Sequence, residues 1–176
     1  MDVSADLTEL SRTPVAVVCA GAKSVLDIPR TLEYLETQGA SVAALGCDEF
    51  PAFFSRTSGC RAPSRVDTPE QFAAMIHAAQ RLRLNSGLVL AVPIPDDAAA
   101  EGQVVEDAIQ TALAEADAKH VRGNEVTPFL LERIRQLTSG KSLEANVKLV
   151  KNNAQVGASV ARALAQLNAA ATASKL

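Results

Sequence analysis

Lys23 is the residue whose type and setting first suggest chemistry. It lies in the stretch PVAVVCAGAKSVLD, residues 14–27. Val15 to Ala20 form an unbroken apolar run behind a proline, which predicts a buried strand in a sheet covered on both faces. Gly21 permits a sharp turn, and an apolar-periodic helix is expected from about Ser24. Lys23 then stands at the carboxyl end of a strand, the edge where open α/β sheets bind ligands. Three readings stand side by side. The first is a solvated loop lysine, since lysine side chains are mostly exposed. The second is an anion site on backbone N–H groups at the helix start. Its Walker form fails, because GxxxxGK[ST] requires glycine where this chain has Val17 and Ala22. The third is a nucleophilic amine. Desolvation disfavours the ammonium form, and the small neighbours Ala20, Gly21 and Ala22 allow partial desolvation and close approach of a carbonyl carbon.

Two further constellations carry polar groups. In residues 1–13, MDVSADLTELSRT, Asp2, Ser4 and Asp6 alternate with Val3, Ala5 and Leu7. An extended segment puts the polar set on one face, where oxygen ligands suit a hard cation such as Mg²⁺ or Mn²⁺. The competing reading is a helix start, with Asp6 followed by Glu9 as a capping-box-like pair. Near the carboxyl terminus, Asn146, Lys151, Asn152 and Asn153 interrupt a long helical pattern. Asparagine is a poor helix former because its amide competes for backbone hydrogen bonds. Its recurrence there fits either a ligand-facing polar patch or a solvated face.

Composition excludes several classes. The 176 residues are 48% hydrophobic and 21% charged, which describes one globular domain over 1–176 with room for a core. Net charge is −3 without a basic run, and aromatics are only 3%, so no nucleic-acid partner is expected. Cys19, Cys47 and Cys60 are odd in number and widely spaced, as reduced thiols are, rather than a disulfide frame or a zinc site. No apolar stretch reaches the roughly 18 residues of a membrane span, and no signal peptide is recognisable.

The elements that must position these residues alternate between strand and helix. Residues 25–37 predict an amphipathic helix, with Leu26, Ile28, Leu32, Tyr34 and Leu35 apolar and Gly39 closing it. Residues 41–46 predict a second strand, so 14–46 reads as a β–α–β unit with parallel strands. Phe50, Phe53 and Phe54 read as a local core plug, and 58–63 as a loop. Residues 68–84 predict a helix capped by Thr68 with Pro69 first. Phe72, Met75, Ile76, Ala79 and Leu82 form its stripe, and His77 is left on the surface. Residues 87–92 predict a third strand ended by Pro93 and Pro95, with Asp96 and Asp97 outside. Helices follow over 101–119, from Thr127-Pro128 to about 137, and over 142–168. The last has Leu143, Val147, Val150, Gly157, Val160, Leu164 and Leu167 on its apolar side. Residues 169–176 are expected to be a flexible tail.

Several segments together resemble one family. They are SADLTEL at 4–10, VVCAGAKSVLDIPRTLEYLETQG at 17–39, DEFPAFF at 48–54, VTPFLLERI at 126–134 and SLEANVKLVKNNA at 142–154. In this order and spacing they resemble the pseudouridine-5′-phosphate glycosidase family, also called indigoidine synthase A-like. The resemblance implies a three-layer α/β/α fold with a mixed, largely parallel central sheet, usually assembled as a homotrimer. It implies reversible cleavage of the carbon–carbon glycosidic bond of pseudouridine 5′-phosphate to uracil and ribose 5-phosphate, with a divalent cation, typically Mn²⁺. By the same resemblance Lys23 forms an imine-type adduct with C1′ of the ring-opened sugar. Asp2 is the metal carboxylate, Ser4, Ala5 and Asp6 contact substrate, and Asn146 matches an active-site asparagine.

Members of that family are nearly twice as long, and this chain corresponds to their carboxyl-terminal half. The other half carries a general-acid glutamate and a second active-site lysine. Activity is therefore expected to need that half, the alternative being a non-catalytic fragment that binds a sugar phosphate or assembles with full-length subunits. Finally, Ser174-Lys175-Leu176 ends the chain. A terminal Ser-Lys-Leu is a peroxisomal address, so a peroxisome or glycosome is the expected location, and the cytoplasm if the tripeptide is accidental.

Overall fold

The computed structural model describes residues 4–122, 125–139 and 141–173. Asp2, Gly123 and the Ser174-Lys175-Leu176 tripeptide lie outside the described residues. The elements are α1 (Ala5–Glu9), β1 (Ala16–Cys19), α2 (Ile28–Thr37), β2 (Ser41–Leu45), β3 (Ser64–Val66), α3 (Pro69–Arg81), β4 (Leu88–Ala91), α4 (Ala99–Ala118), α5 (Val126–Thr138) and α6 (Lys141–Ala173). The four strands form one sheet in the order β1-β4-β2-β3. Every pairing between them is parallel, with Val17 opposite Val89 and Val42 opposite Val89 on the other side. Antiparallel contacts among the described residues are isolated bridges, Gly21 to Ala52 and Glu49 to Arg61 among them.

Alternation along the strands builds the layers. Val42, Ala44, Val89 and Ala91 face α2, where they pack with Ile28, Leu32, Leu35 and Phe50. Ala43, Leu88 and Leu90 face the opposite way, onto Phe72, Ala73 and Ile76 of α3 and Val160 and Ala163 of α6. A third cluster joins Ala20, Phe54, Ile94, Val105, Ile109 and Leu149, where α4 and α6 meet the carboxyl ends of the strands. The architecture is three-layered, α/β/α. Phe72 and Leu90 are fully buried at its centre, and truncation to alanine is expected to cost about 3–5 kcal/mol at Phe72 and about 2–5 kcal/mol at Leu90.

Local signals set most helix ends. Asp27 caps α2 through its side chain, which accepts from Arg30 N–H at 3.1 Å. Gly39, at φ +74°, closes the same helix, with Ala40 N–H donating to Leu35 O at 3.0 Å. Thr68 caps α3 by accepting from Gln71 N–H at 3.3 Å, with Pro69 next.

Several expectations are corrected. Strand β1 is not covered on both sides: it is the sheet edge, and Val15 and Val17 are 42% and 37% exposed. The Val15 and Cys19 carbonyls accept from Leu88 and Val92 of the β4 side. By ladder alternation the backbone groups of Ala16 and Val18 therefore face outward. Second, β4 inserts between β1 and β2, so the strands of the β–α–β unit are parallel but not neighbours. Third, α2 begins at Ile28, leaving Val25 and the exposed Leu26 in a turn. Fourth, residues 64–66 form the edge strand β3, too short and too polar to stand out in the chain. Fifth, the buried face of α6 is Ala145, Leu149, Val160 and Ala163, while Leu143, Val147 and Val150 are exposed. Two apolar stripes compete on that helix, and packing against α4 and α3 selects one. Leu82, just past the end of α3, and Leu137 of α5 are likewise exposed. Sixth, α6 remains helical through Ala173, where a flexible tail was expected from 169, and α5 begins at Val126, so Thr127 lies inside it rather than capping it. The alanine-rich sequence from 169 to 173 suits a helix.

Candidate active site

Gly21 turns the chain at the end of β1 under severe constraint. Its φ is +84°, and a Cβ there would lie 1.8 Å from Pro51 O. Only glycine combines that conformation with so close an approach. The contact locks the loop after β2 against the β1 end, and Phe53 N–H donates to Ala20 O at 3.0 Å. Phe53 itself has φ +63°, unusual for a bulky residue. Its ring packs edge-on to Phe54 at 4.9 Å between centroids, and Lys23 Nζ lies over it at 5.5 Å. The phenylalanine cluster is therefore only partly a core plug. Phe50 and Phe54 are buried, and Phe53 is the wall against which the lysine rests. The FPAFF run is the available signal, but no local periodicity distinguishes the half-buried Phe53 ring from the buried ones.

Lys23, Phe53, Ser4, Asp6, Cys19 and Phe50 line one cleft of about 370 Å³. It opens beside β1 at the carboxyl end of the sheet, on the α1/α2 side. Helix α1 reaches it because Leu10 O accepts from Gly87 N–H at 2.6 Å and Thr8 Oγ1 lies 3.1 Å from Tyr34 Oη. The amino-terminal segment is thus helical from Ala5, which corrects the extended reading. Ser4 is the cap, its Oγ accepting from Asp6 N–H at 3.2 Å, in place of the Asp6–Glu9 pair. Ser4, Ala5 and Asp6 are all exposed.

Lys23 is exposed as well, although Ala20 behind it is buried. The small neighbours allow approach but do not desolvate the amine, because the cleft borders the open β1 edge. The anion reading also weakens: the nearest helix starts at Ile28, and the Asp27 carboxylate already occupies its N-terminus. Burial pushes the Cys19 thiol pKa up, so the second nucleophile type in the cleft stays protonated. Asn146 is not among the cleft residues; it is half-buried on α6, next to Ala145, which packs with Ala20. Asn153 places its Oδ1 in the interior without a hydrogen-bond partner among the described residues. No group of three or more His, Cys, Asp or Glu side chains converges among the described residues. Asp6 is the single carboxylate lining the cleft, so the described residues alone do not make a cation site.

The turn after Lys23 is held from α4. Ser24 Oγ donates to Glu106 Oε2 at 2.7 Å, and Leu26 N–H donates to Lys23 O at 2.9 Å. Four residues before Glu106, Gly102 approaches Phe54 O so closely that a Cβ would stand 2.3 Å away.

A sequence profile for indigoidine synthase A-like proteins matches residues 1–163. The chain belongs to this family. It is 56% identical over 167 residues to a pseudouridine-5′-phosphate glycosidase of Arabidopsis thaliana, covering 95% of this chain and 51% of that protein. It is 52% identical over 166 residues to one of Caldanaerobacter subterraneus, covering 94% and 54%. The chain thus spans about half the length of these curated relatives. Among solved structures, the prealnumycin C-glycosynthase AlnA in complex with ribulose 5-phosphate superposes with a TM-score of 0.85 at 32% identity, over 96% of this chain and 55% of that one. An indigoidine synthase A-like protein of Thermotoga maritima superposes with a TM-score of 0.74 at 34% identity, over 94% and 54%. The indigoidine synthase A-like fold accounts for the parallel sheet and its flanking helix layers.

Proposed function

We propose that this chain supplies the lysine half of a pseudouridine-5′-phosphate glycosidase active site. The observation that carries the reading is Lys23, an exposed amine at the carboxyl end of β1, set over Phe53 in a cleft that also holds Ser4 and Asp6. The relatives named for this activity, and a structural neighbour complexed with a pentulose phosphate, support a phosphosugar as substrate. In the proposed reaction the Lys23 amine attacks C1′ and opens the sugar ring: the C1′–Nζ bond forms, the C1′–O4′ bond breaks, and O4′ takes the proton that the amine gives up. A carbon–carbon bond has no leaving oxygen to protonate, so the nitrogen of the adduct must supply the electron pair that stabilises C1′ when the pyrimidine leaves. The C1′–C5 bond breaks with its electron pair passing to the pyrimidine, which takes a proton and departs as uracil. C1′ is left as an iminium on Nζ. Water adds to it, the amine leaves, and the aldehyde of ribose 5-phosphate is released. Ser4, Ala5, Asp6 and Asn146 are assigned to the substrate, Asn146 from α6 outside the cleft that Ser4 and Asp6 line.

The reading includes a divalent cation, Mn²⁺, with Asp2 as its carboxylate. Oxygen donors suit such a cation, and no step above passes through it. It also includes a homotrimer in the full-length form, and peroxisomal or glycosomal import read from Ser174-Lys175-Leu176. Mn²⁺ bound by the wild-type chain and lost in Asp2→Asn, followed by electron paramagnetic resonance, tests the ligand. A punctate fluorescent fusion carrying residues 165–176, made diffuse by deleting Leu176, tests the address.

The deciding experiment is uracil release from pseudouridine 5′-phosphate with Mn²⁺, by the chain alone and with a polypeptide carrying the family's amino-terminal half. Release in either setting, abolished by Lys23→Ala, supports the reading. Binding of ribose 5-phosphate with no release in either setting favours the non-catalytic alternative.

A further inference from the structure

We infer that Glu106 is a positioning residue for Lys23, acting through Ser24, and that α4 is the strut aligning the lysine with Phe53. The inference rests on the reading of Lys23 as the reactive amine. Ser24 adjoins Lys23 in sequence, and its hydroxyl donates to Glu106 Oε2 at 2.7 Å across 82 residues of chain. The other carboxylate oxygen, Oε1, accepts from Gln110 Nε2 at 2.9 Å, so the Glu106 side chain is held at both oxygens. Val105 and Ile109 on either side are buried at 0% and 3%, which fixes the α4 backbone beneath it.

The same face of α4 meets the other partner of the lysine. Gly102 and Glu106 are four apart and lie one above the other on a helix. Gly102 touches the backbone of Phe54, the neighbour of Phe53, at a distance that no side chain tolerates. One helix face thus sets the position of the Phe53–Phe54 loop and of the Lys23 turn. No backbone ladder holds residues 23–26, since β1 ends at Cys19 and α2 begins at Ile28. Without the Glu106 bond the turn keeps, among the described residues, its internal Lys23–Leu26 hydrogen bond and the packing of Val25 against the core, neither of which fixes the Lys23 side chain. An exposed amine on a mobile turn samples many positions, and loss of a reactive geometry is costly in rate.

The test is reductive trapping of ribose 5-phosphate on the chain with borohydride, mapped by peptide to each lysine, with amide exchange across residues 20–28 read in parallel. Glu106→Ala is expected to lower the limiting rate of trapping at Lys23 by about tenfold, leaving the half-saturating sugar concentration unchanged, since alignment rather than binding is lost. Glu106→Gln retains an acceptor oxygen and is expected to restore most of that rate. Ser24→Ala is expected to match Glu106→Ala, and the double variant to be no slower than either. Exchange over 20–28 is expected to quicken in Glu106→Ala and not in Glu106→Gln. Trapping at Lys23 that is unchanged in Glu106→Ala overturns the inference, as does unchanged exchange. A wild-type chain whose Lys23 traps no faster than Lys148 overturns the reading of Lys23 itself, while the exchange data still decide whether Glu106 holds the turn.

Discussion

Lys23 and Phe53 meet only because Gly21 and Pro51 are in van der Waals contact: the lysine Nζ stands 5.5 Å from the ring centroid, and Gly21 has room for no side chain against Pro51 O. The two residues are separated by a helix and a strand in the chain. Their pairing is a property of how the loop after β2 crosses the end of β1.

Gly21→Ala tests that crossing. The new Cβ must displace the Pro51 carbonyl and adopt a positive φ. A loss of about 3 kcal/mol or more in unfolding free energy is expected, from overpacking and left-handed strain together. Gly39→Ala is the reference, since its φ is +74° with nothing near the Cβ position; it is expected to cost about 1 kcal/mol. Denaturant unfolding of both variants measures the difference.

Phe53→Leu removes the ring under Lys23 and keeps an apolar side chain. A cation over an exposed aromatic face is worth about 0.5–1 kcal/mol. The amine loses that restraint, and trapping of ribose 5-phosphate at Lys23 is expected to slow about two- to fivefold. The melting temperature, read on the same sample, is expected to move little, because Phe53 is only partly buried among its neighbours.

Acid is expected to loosen α5 from α4. Arg133 donates to both oxygens of Glu115 at 2.8 Å, and this hydrogen bonding holds the Glu115 carboxyl below its ordinary value of 4.5. A folded-state pKa that is lowered contributes stability above the unfolded pKa and loses it as pH falls through the folded one. The melting-temperature difference between wild type and Glu115→Gln is therefore expected to be full at pH 7, and to shrink below about pH 4.5 as the carboxylate protonates.

Asn153→Leu is expected to leave the chain as stable as wild type, or more so. The interior Oδ1 of Asn153 has no hydrogen-bond partner among the described residues, and an unpaired buried acceptor costs roughly 1–3 kcal/mol. Thermal unfolding checks the sign. A marked loss of stability would mean that the amide is hydrogen-bonded within this chain.

The sequence by itself placed Lys23 after an apolar strand and a glycine turn, capped α3 with Thr68 and Pro69, and closed α2 with Gly39. Each of these signals acts within a few residues: a run of apolar side chains, a hydroxyl three residues from an orphan N–H, a backbone that needs positive φ. The resemblance of five separated segments named the family and marked Ser4, Asp6 and Lys23, which α1 and the β1 end bring to one cleft. Asn146 was marked with them but stands on α6, outside that cleft.

Tertiary structure decided the rest. An apolar run reads alike at the centre or the edge of a parallel sheet, so only strand order shows that β1 is the edge and that Lys23 is exposed. A long helix with two apolar stripes does not specify which one is buried; contact with α4 and α3 selects Leu149 and Val160 over Val147 and Val150. The Phe53 ring against Lys23 and the Ser24–Glu106 bond join residues distant in the chain. Their pairing depends on how separate elements dock, and no local pattern of side chains encodes that geometry.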